Sequence, residues 1–282
     1  MRRAIFARIV MGMPINDYNE METSNVSTAD WLQLLQLGTL VVKGVLPWSS
    51  NYSFLVDICP NTAVQEALPH LSQNNFADIR AVYKPRRGER PLWDFTQGTL
   101  CQRERAAFLL SHALSWHLIP PTVLREGEHG TGSVQLFIPH DPEAHYFTFE
   151  GEPLFREALQ KTVLLDVIIN NADRKAGHVL IEEKEDTDRL WMIDHGICFH
   201  TEYKLRTVIW EFAGEPVPPE LLADLDSLSD KLATNESGLR AELQQLLSPT
   251  EIGALQKRIR RILTQAVFVS PGSGRHYPWP PV

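Results

Sequence analysis

Apolar and polar residues alternate in the first half of the chain, and a helical repeat takes over in the second. Residues 35–58, LQLGTLVVKGVLPWSSNYSFLVDI, hold two β-rich runs on either side of a Pro-Trp-Ser-Ser-Asn turn, the pattern of a hairpin. DIRAVYK at 78–84 predicts a third strand, and Thr122 to Leu124 and Gly132 to Ile138 predict two more. Between them, PRRGERPLWDFTQGT reads as a loop, and LCQRERAAFLLSHALSW places apolar residues at helical spacing with Arg and Glu on the other face. FREALQKTVLLDVIINN at 155–171 has the length and spacing of an amphipathic helix. HVLIEE and RLWMID are short strands around the acidic turn KEDTD, and helical patterns cover about 219–234 and 237–266. The pattern divides the chain into an N-terminal arm over 1–34, a strand-rich unit with one helix over 35–139, a mainly helical unit over 140–268, and a Pro/Gly-rich tail over 269–282 expected to be loosely ordered.

Two apolar runs break off into polar clusters: IINNADRKAGHVLI at 168–181 and LWMIDHG at 190–196. Burying an unpaired charge is costly, so each interruption needs a partner or a task. In the first, Asp173 stands in a loop just before a strand, with His178 five positions later. A phosphotransferase uses such a loop to orient a hydroxyl and hold a metal, and a plain polar turn is the alternative. Asp194 closes the hairpin that begins after His178, so both carboxylates can reach one mouth of the fold. A strand-borne Asp followed by Gly196 is where kinases bind the magnesium that bridges nucleotide phosphates. Lys84 ends the strand AVYKP and Glu104 lies on the next helix, the order of the ion pair that positions those phosphates. Taken singly, Lys84 reads as an exposed strand end and Glu104 as a solvated helix residue; the four together favour the kinase arrangement.

Composition narrows this further. With 282 residues, 43% hydrophobic and 22% charged, the chain can bury one large core or two small ones. A net charge of −8 argues against a nucleic-acid partner, which calls for an excess of clustered Lys and Arg. Cys59, Cys101 and Cys198 form no CxxC pair, so neither a disulfide framework nor a zinc knuckle is expected and a cytoplasmic setting fits. No run reaches the ~18 apolar residues of a membrane span, so no integral membrane contact is expected.

The set YKPRRGE, RERAAFLL, IPPT, GSVQLFI, NNADRKAGHVL and IDHGICF resembles the phosphatidylinositol 3-/4-kinase superfamily, closest in character to type II phosphatidylinositol 4-kinases and to a family of bacterial kinase-like proteins. The likeness runs from about residue 38 to about residue 220. It implies an α+β, two-lobed protein-kinase-like fold with a strand-rich N-lobe, a mainly helical C-lobe and ATP between them. By this resemblance Lys84 contacts the nucleotide phosphates and Glu104 pairs with it. Gln135, Leu136, Phe137 and Ile138 form the hinge that meets adenine. Ser49, Ser50 and Asn51 cover the phosphates in place of a glycine-rich loop, unless that segment is only a hairpin turn. Asp173 is the catalytic carboxylate, Asp194 the main ligand of Mg2+. Relatives carry Asn where this chain has His178; imidazole suits softer metals, which leaves open Mn2+ binding, a hydrogen bond to phosphate, a one-metal site, or a histidine bonded within its own loop. Arg174, Lys175, Lys204 and Arg206 are the cations placed to receive an acceptor. The expected function is transfer of the ATP γ-phosphate to a hydroxyl acceptor of unknown identity, a soluble metabolite or a protein. The rivals are a pseudokinase that binds ATP or a partner, a toxin-type protein kinase, and a phosphatidylinositol kinase as the superfamily name suggests.

Overall fold

The computed structural model describes residues 26–47, 51–71, 79–184, 187–234 and 238–282. Helix α1 (Thr28–Leu37) begins at a capping box in which the Ser27 hydroxyl accepts the Asp30 N–H and the Asp30 carboxylate accepts the Ser27 N–H. Five antiparallel strands follow: β1 (Thr39–Val45), β2 (Phe54–Cys59), β3 (Arg80–Pro85), β4 (Thr122–Gly127) and β5 (Gly130–Leu136). They lie in the order β1-β2-β3-β5-β4. A short helix α2 (Thr62–Ala67) follows β2, and α3 (Leu100–Ala113) connects β3 to β4 and packs against β4 and β5. Gly132 on β5 lies beside the strand that carries Lys84; a Cβ there would sit 2.5 Å from the Lys84 carbonyl oxygen, so the two strands can close only over glycine.

Leu34 and Leu35 of α1 are buried with Val56, Ile58, Ala81, Tyr83 and Val134 in the core of this lobe. The expected arm boundary at residue 34 is therefore corrected: it cuts through α1, whose apolar pair belongs to the sheet core. The missed signal was the Ser27-x-x-Asp30 cap.

The second lobe contains α4 (Tyr146–Phe149), α5 (Arg156–Ile169), a hairpin of β6 (Val179–Glu182) and β7 (Arg189–Met192), and helices α6 (Pro219–Ala233), α7 (Gly238–Leu246) and α8 (Pro249–Gln265). The single helix expected over 237–266 is broken because Ser248 caps α8: its hydroxyl accepts the Glu251 N–H, and the Glu251 carboxylate accepts the Ser248 N–H. A small apolar cluster of Ile138, Leu180 and Trp191 sits where the sheet meets the β6–β7 hairpin.

The tail is also more ordered than its composition suggests. The Thr207 N–H donates to the His276 carbonyl (3.0 Å) and the Ala176 N–H to the Pro281 carbonyl (2.8 Å), while Trp210 meets the rings of His276 and Tyr277 edge-on. Proline's lack of an N–H is no obstacle, because the tail contributes acceptors and ring faces.

Candidate active site

The chain places its charged residues at one cleft by two different devices. Lys84 comes from a sheet strand, and its ammonium donates to Glu104 Oε1 at 2.5 Å and to Asp194 Oδ1 at 3.1 Å. Glu104 is 3% exposed and divides its carboxylate, for Oε2 accepts the His195 N–H at 2.9 Å. One helical glutamate thus ties the lysine strand to the Asp194 loop. Burial would lower the Lys84 pKa, but the charges of Asp194 and Glu104 reverse this and raise it above its ordinary value. At Asp194 burial pushes upward and the Lys84 charge outweighs it, holding the carboxylate well below the usual range. Asp194 also stands at φ +61°, a left-handed conformation uncommon outside glycine, which fits a side chain held for function rather than for chain propensity.

Asp173 is positioned by the asparagines before it. Asn170 ends α5 in the left-handed conformation, and the Asp173 N–H donates to Asn171 Oδ1 at 3.0 Å. Lys175 reaches back to within 3.5 Å of Asp173. Burial raises the Asp173 pKa, Lys175 pulls it down, Asp194 adds to the rise, and the result is pushed up to about 6. The two cleft carboxylates therefore have opposite tendencies: Asp194 stays ionised, and Asp173 exchanges its proton near neutrality.

His178 lies between them. Its Nδ1 is 2.9 Å from the Asp173 carbonyl oxygen, which can only accept, so Nδ1 carries the proton. Burial drives its pKa down to about 4, leaving a neutral ring whose Nε2 lone pair faces Asp194 Oδ2 at 3.4 Å. Two lone-pair atoms facing each other are reconciled by a cation, and one imidazole nitrogen beside a carboxylate is a donor set suited to a divalent metal.

Other expected site residues are placed differently. Arg174 does not face an acceptor. It is fully buried, paired with Asp166 through Nε (2.8 Å) and Nη2 (3.0 Å), and its remaining donors reach the His178 and Ile193 carbonyls and His195 Nε2. A guanidinium with its donors spent on the loop core positions that loop. Lys204 is likewise engaged, donating to Asp94 Oδ2 at 2.7 Å and lying over the Trp93 ring. Arg206 joins the Asp173 loop through its backbone, with its N–H donating to the Asn171 carbonyl (2.9 Å) and its carbonyl accepting the Arg174 N–H (3.0 Å). Asn51 Oδ1 accepts the Arg90 N–H at 2.8 Å, so it braces a neighbouring loop; Ser49 and Ser50 lie outside the described residues. The hinge narrows as well. Gln135 is buried and bonded to Thr122, and the Leu136 and Phe137 N–H groups donate to Pro121 and Arg80. Among the described residues, the Ile138 N–H alone of the Leu136, Phe137 and Ile138 amides has no such partner, and its side chain packs with Leu180 and Trp191 at the back of the cleft.

Sequence reasoning missed Asp166, a charge on the buried face of a helix pattern, and Asp94, hidden in a loop. Asp94 clasps the segment after Asp194 twice, since its carbonyl is also 3.0 Å from His200 Nε2.

A strand-rich sheet lobe followed by a mainly helical lobe gives the two-lobed kinase-like fold. The Golgi casein kinase matches this structure with a TM-score of 0.56 at 16% identity, covering 99% of this chain and 86% of that one; its form with Mn/ADP bound gives 0.55 at 15%, covering 90% and 80%. The family model for phosphatidylinositol 3- and 4-kinase matches residues 123–247. Protein Rv2133c of Mycobacterium tuberculosis is 34% identical over 276 residues, 86% of this chain and 92% of that protein. Phosphatidylinositol 4-kinase gamma 4 of Oryza sativa subsp. japonica is 32% identical over 145 residues, 45% of this chain but only 25% of the plant protein. The chain belongs to one family with the mycobacterial protein, and its residues 123–247 are similar to the phosphatidylinositol 3- and 4-kinase domain.

Proposed function

We propose that the protein is an ATP-dependent phosphotransferase that moves the γ-phosphate to a hydroxyl acceptor, a soluble metabolite or a protein side chain. The observation that carries this is the convergence of Lys84, Glu104, Asp194, His178 and the Asp173 backbone carbonyl within one chain of contacts of 2.5 to 3.4 Å. In this reading Lys84, kept charged by its two carboxylates, meets the nucleotide phosphates, and the Ile138 N–H meets adenine against the Leu180 and Trp191 side chains. Asp194 and His178 Nε2 would hold a divalent ion, Mg2+ or Mn2+, which when bound neutralises phosphate charge. Asp173 accepts the proton of the acceptor hydroxyl as the oxygen attacks, and a pKa near 6 leaves it ionised yet basic enough to do so. Lys175, 3.5 Å from Asp173, is the cation next to the transferring phosphoryl group. Residues 35–139, extended by α1, form the N-lobe in this scheme, and residues 140–268 the C-lobe.

Chemistry favours an acceptor in solution. Membrane residence calls for two anchoring signals or a basic face. Of the cations that would make such a face, Arg86, Arg87, Lys204 and Arg206, Lys204 is committed to Asp94. Among the described residues no helix is long and apolar enough to cross a membrane.

One observation favours a second reading. His178 supplies a nitrogen where a hard oxygen ligand suits magnesium, as in a pseudokinase that binds nucleotide without transferring phosphate. Incubating the protein with γ-labelled ATP and a fractionated cell extract, with Asp173→Ala as control, separates the two. Asp173-dependent label in protein or polar metabolites is the expected result. Nucleotide binding with no transfer to any fraction selects the pseudokinase, and label confined to lipid overturns the soluble acceptor.

A further inference from the structure

Residues 276–281 lie across the loop that carries Asp173, and none of the roles above uses them. That loop and the stretch after Asp194 run side by side, since the Arg174 N–H donates to the Arg206 carbonyl (3.0 Å) and the Val208 N–H to the Arg174 carbonyl (3.1 Å). Residues 276–281 form the next layer: the His276 carbonyl accepts the Thr207 N–H at 3.0 Å, and the Pro281 carbonyl accepts the Ala176 N–H at 2.8 Å. Between these two bonds Pro278 is buried, whereas Tyr277, Trp279 and Pro280 are exposed. A buried proline and two backbone acceptors thus hold the strap, and prolines at 278, 280 and 281 stiffen it, so little chain entropy opposes its docking. The stretch before it, residues 270–275, is exposed, and a Cβ on Gly272 or Gly274 would meet nothing within 4 Å.

The bond to Ala176 falls at a sensitive place. Ala176 is fully buried, and a buried N–H without an acceptor is costly, so this residue follows the acceptor that Pro281 supplies. It comes directly after Lys175, whose ammonium stands 3.5 Å from Asp173, its one ion pair among the described residues. The neighbouring cleft groups are held by other means. His178 is tied through Nδ1 to the Asp173 carbonyl, and its own carbonyl accepts the Ile193 N–H and an Arg174 donor. The Asp173 N–H is fixed by Asn171. Lys175 is therefore the member of the cleft on which the strap bears.

We propose that residues 276–281 position Lys175 beside Asp173 by way of Ala176, and so govern the phosphate-transfer step without governing nucleotide binding. This rests on the phosphotransferase reading, in which Lys175 is the cation next to the transferring phosphoryl group.

A chain ending at Gly274, cut in the exposed stretch, tests it with γ-labelled ATP and whichever extract fraction the wild-type protein labels. Against the wild type, kcat should fall at least tenfold while the calorimetric Kd for metal-ATP changes less than twofold. Lys175→Ala should lower kcat by itself, and removing the strap from that variant should lower it less than twofold further, because both changes act through one residue. Amide hydrogen exchange over residues 174–178 should quicken at least tenfold, with the sheet lobe unchanged. Pro278→Asp, which unseats the anchor in the whole chain, should reproduce these effects. An unchanged kcat, losses that multiply in the double variant, or exchange that quickens equally in both lobes would each overturn the inference. No transfer by the wild-type protein would overturn the phosphotransferase reading, and with it the role given to Lys175. Exchange over 174–178 reports on the strap in either case, and an unchanged rate there shows that it does not hold the turn.

Discussion

The loop that carries Asp173 and the segment that carries Asp194 meet across His178, yet they are built on different principles. The first is held from within: Asp166, Asn171 and Arg174 are almost fully buried and bonded to one another. The second is held from both sides: Glu104 at His195, Lys84 at Asp194, and Asp94 at His200 and Lys204 from the sheet side, and Arg174 at the Ile193 carbonyl and His195 Nε2 with Asn170 at His200 from the helical side. In the proposed mechanism the proton-transfer group sits on the internally bonded loop, and the carboxylate suited to a metal sits on a segment bonded to both lobes. The chemistry divides the same way, with Asp173 raised to about 6 and Asp194 kept ionised.

The largest effects should come from the two carboxylates themselves. Asp173→Ala should cut phosphate transfer about 10²–10⁴-fold with nucleotide affinity nearly unchanged, and Asp194→Ala should abolish metal-nucleotide binding. Equal losses of binding in both variants would erase the contrast; single-turnover transfer and calorimetric titration measure the two quantities. Next comes the internal frame. Removing one partner of a buried ion pair leaves the other uncompensated, so Asp166→Ala should destabilise the protein by about 3–5 kcal/mol in urea unfolding. A cost under about 1 kcal/mol would mean that the loop does not depend on Arg174.

Smaller changes sharpen the comparison. A base must be unprotonated, so transfer by the wild-type protein should fall about tenfold per pH unit below about 6 and be level above it, while nucleotide binding through Asp194 should persist. A transfer rate independent of pH from 5 to 7 would contradict the assignment. His178→Asn, which offers oxygen for nitrogen, should shift metal preference from Mn2+ toward Mg2+ by several-fold in transfer assays. Asp94→Asn should cost about 1.5–3 kcal/mol in thermal unfolding, since the pair is mostly buried and the amide replaces a charged acceptor of the Lys204 ammonium.

Much of this frame was legible from the residues. The period-two runs located β2, β3, β4 and β5 to within a few residues, and the order of Lys84, Glu104, Asp173 and Asp194 marked the cleft, because strands and helices carry their periodicity locally. Side-chain destinations in the loops were not legible. Arg174 and Lys175 are adjacent and identical in charge, and only the buried carboxylate of Asp166, on a neighbouring helix, turns the first inward while the second stays beside Asp173. Lys204 was misread for the same reason, its partner lying 110 positions away in sequence. The breaks at Ser27 and Ser248 were visible as Ser-x-x-Asp and Ser-x-x-Glu signatures, and lost weight beside the longer hydrophobic periodicity.

The central claim is that Lys84, Asp194 and His178 together form a nucleotide and divalent-metal site, and thermal unfolding with Mg-ATP and Mn-ATP tests it most directly. A ligand bound only to the folded state at a hundred times its dissociation constant should add roughly 2.7 kcal/mol. The account predicts that gain in the wild-type protein with at least one metal-nucleotide pair, its loss in Asp194→Ala, and its retention in Asp173→Ala. No shift with any nucleotide at millimolar concentration, or the same shift with Asp194 replaced, would contradict it.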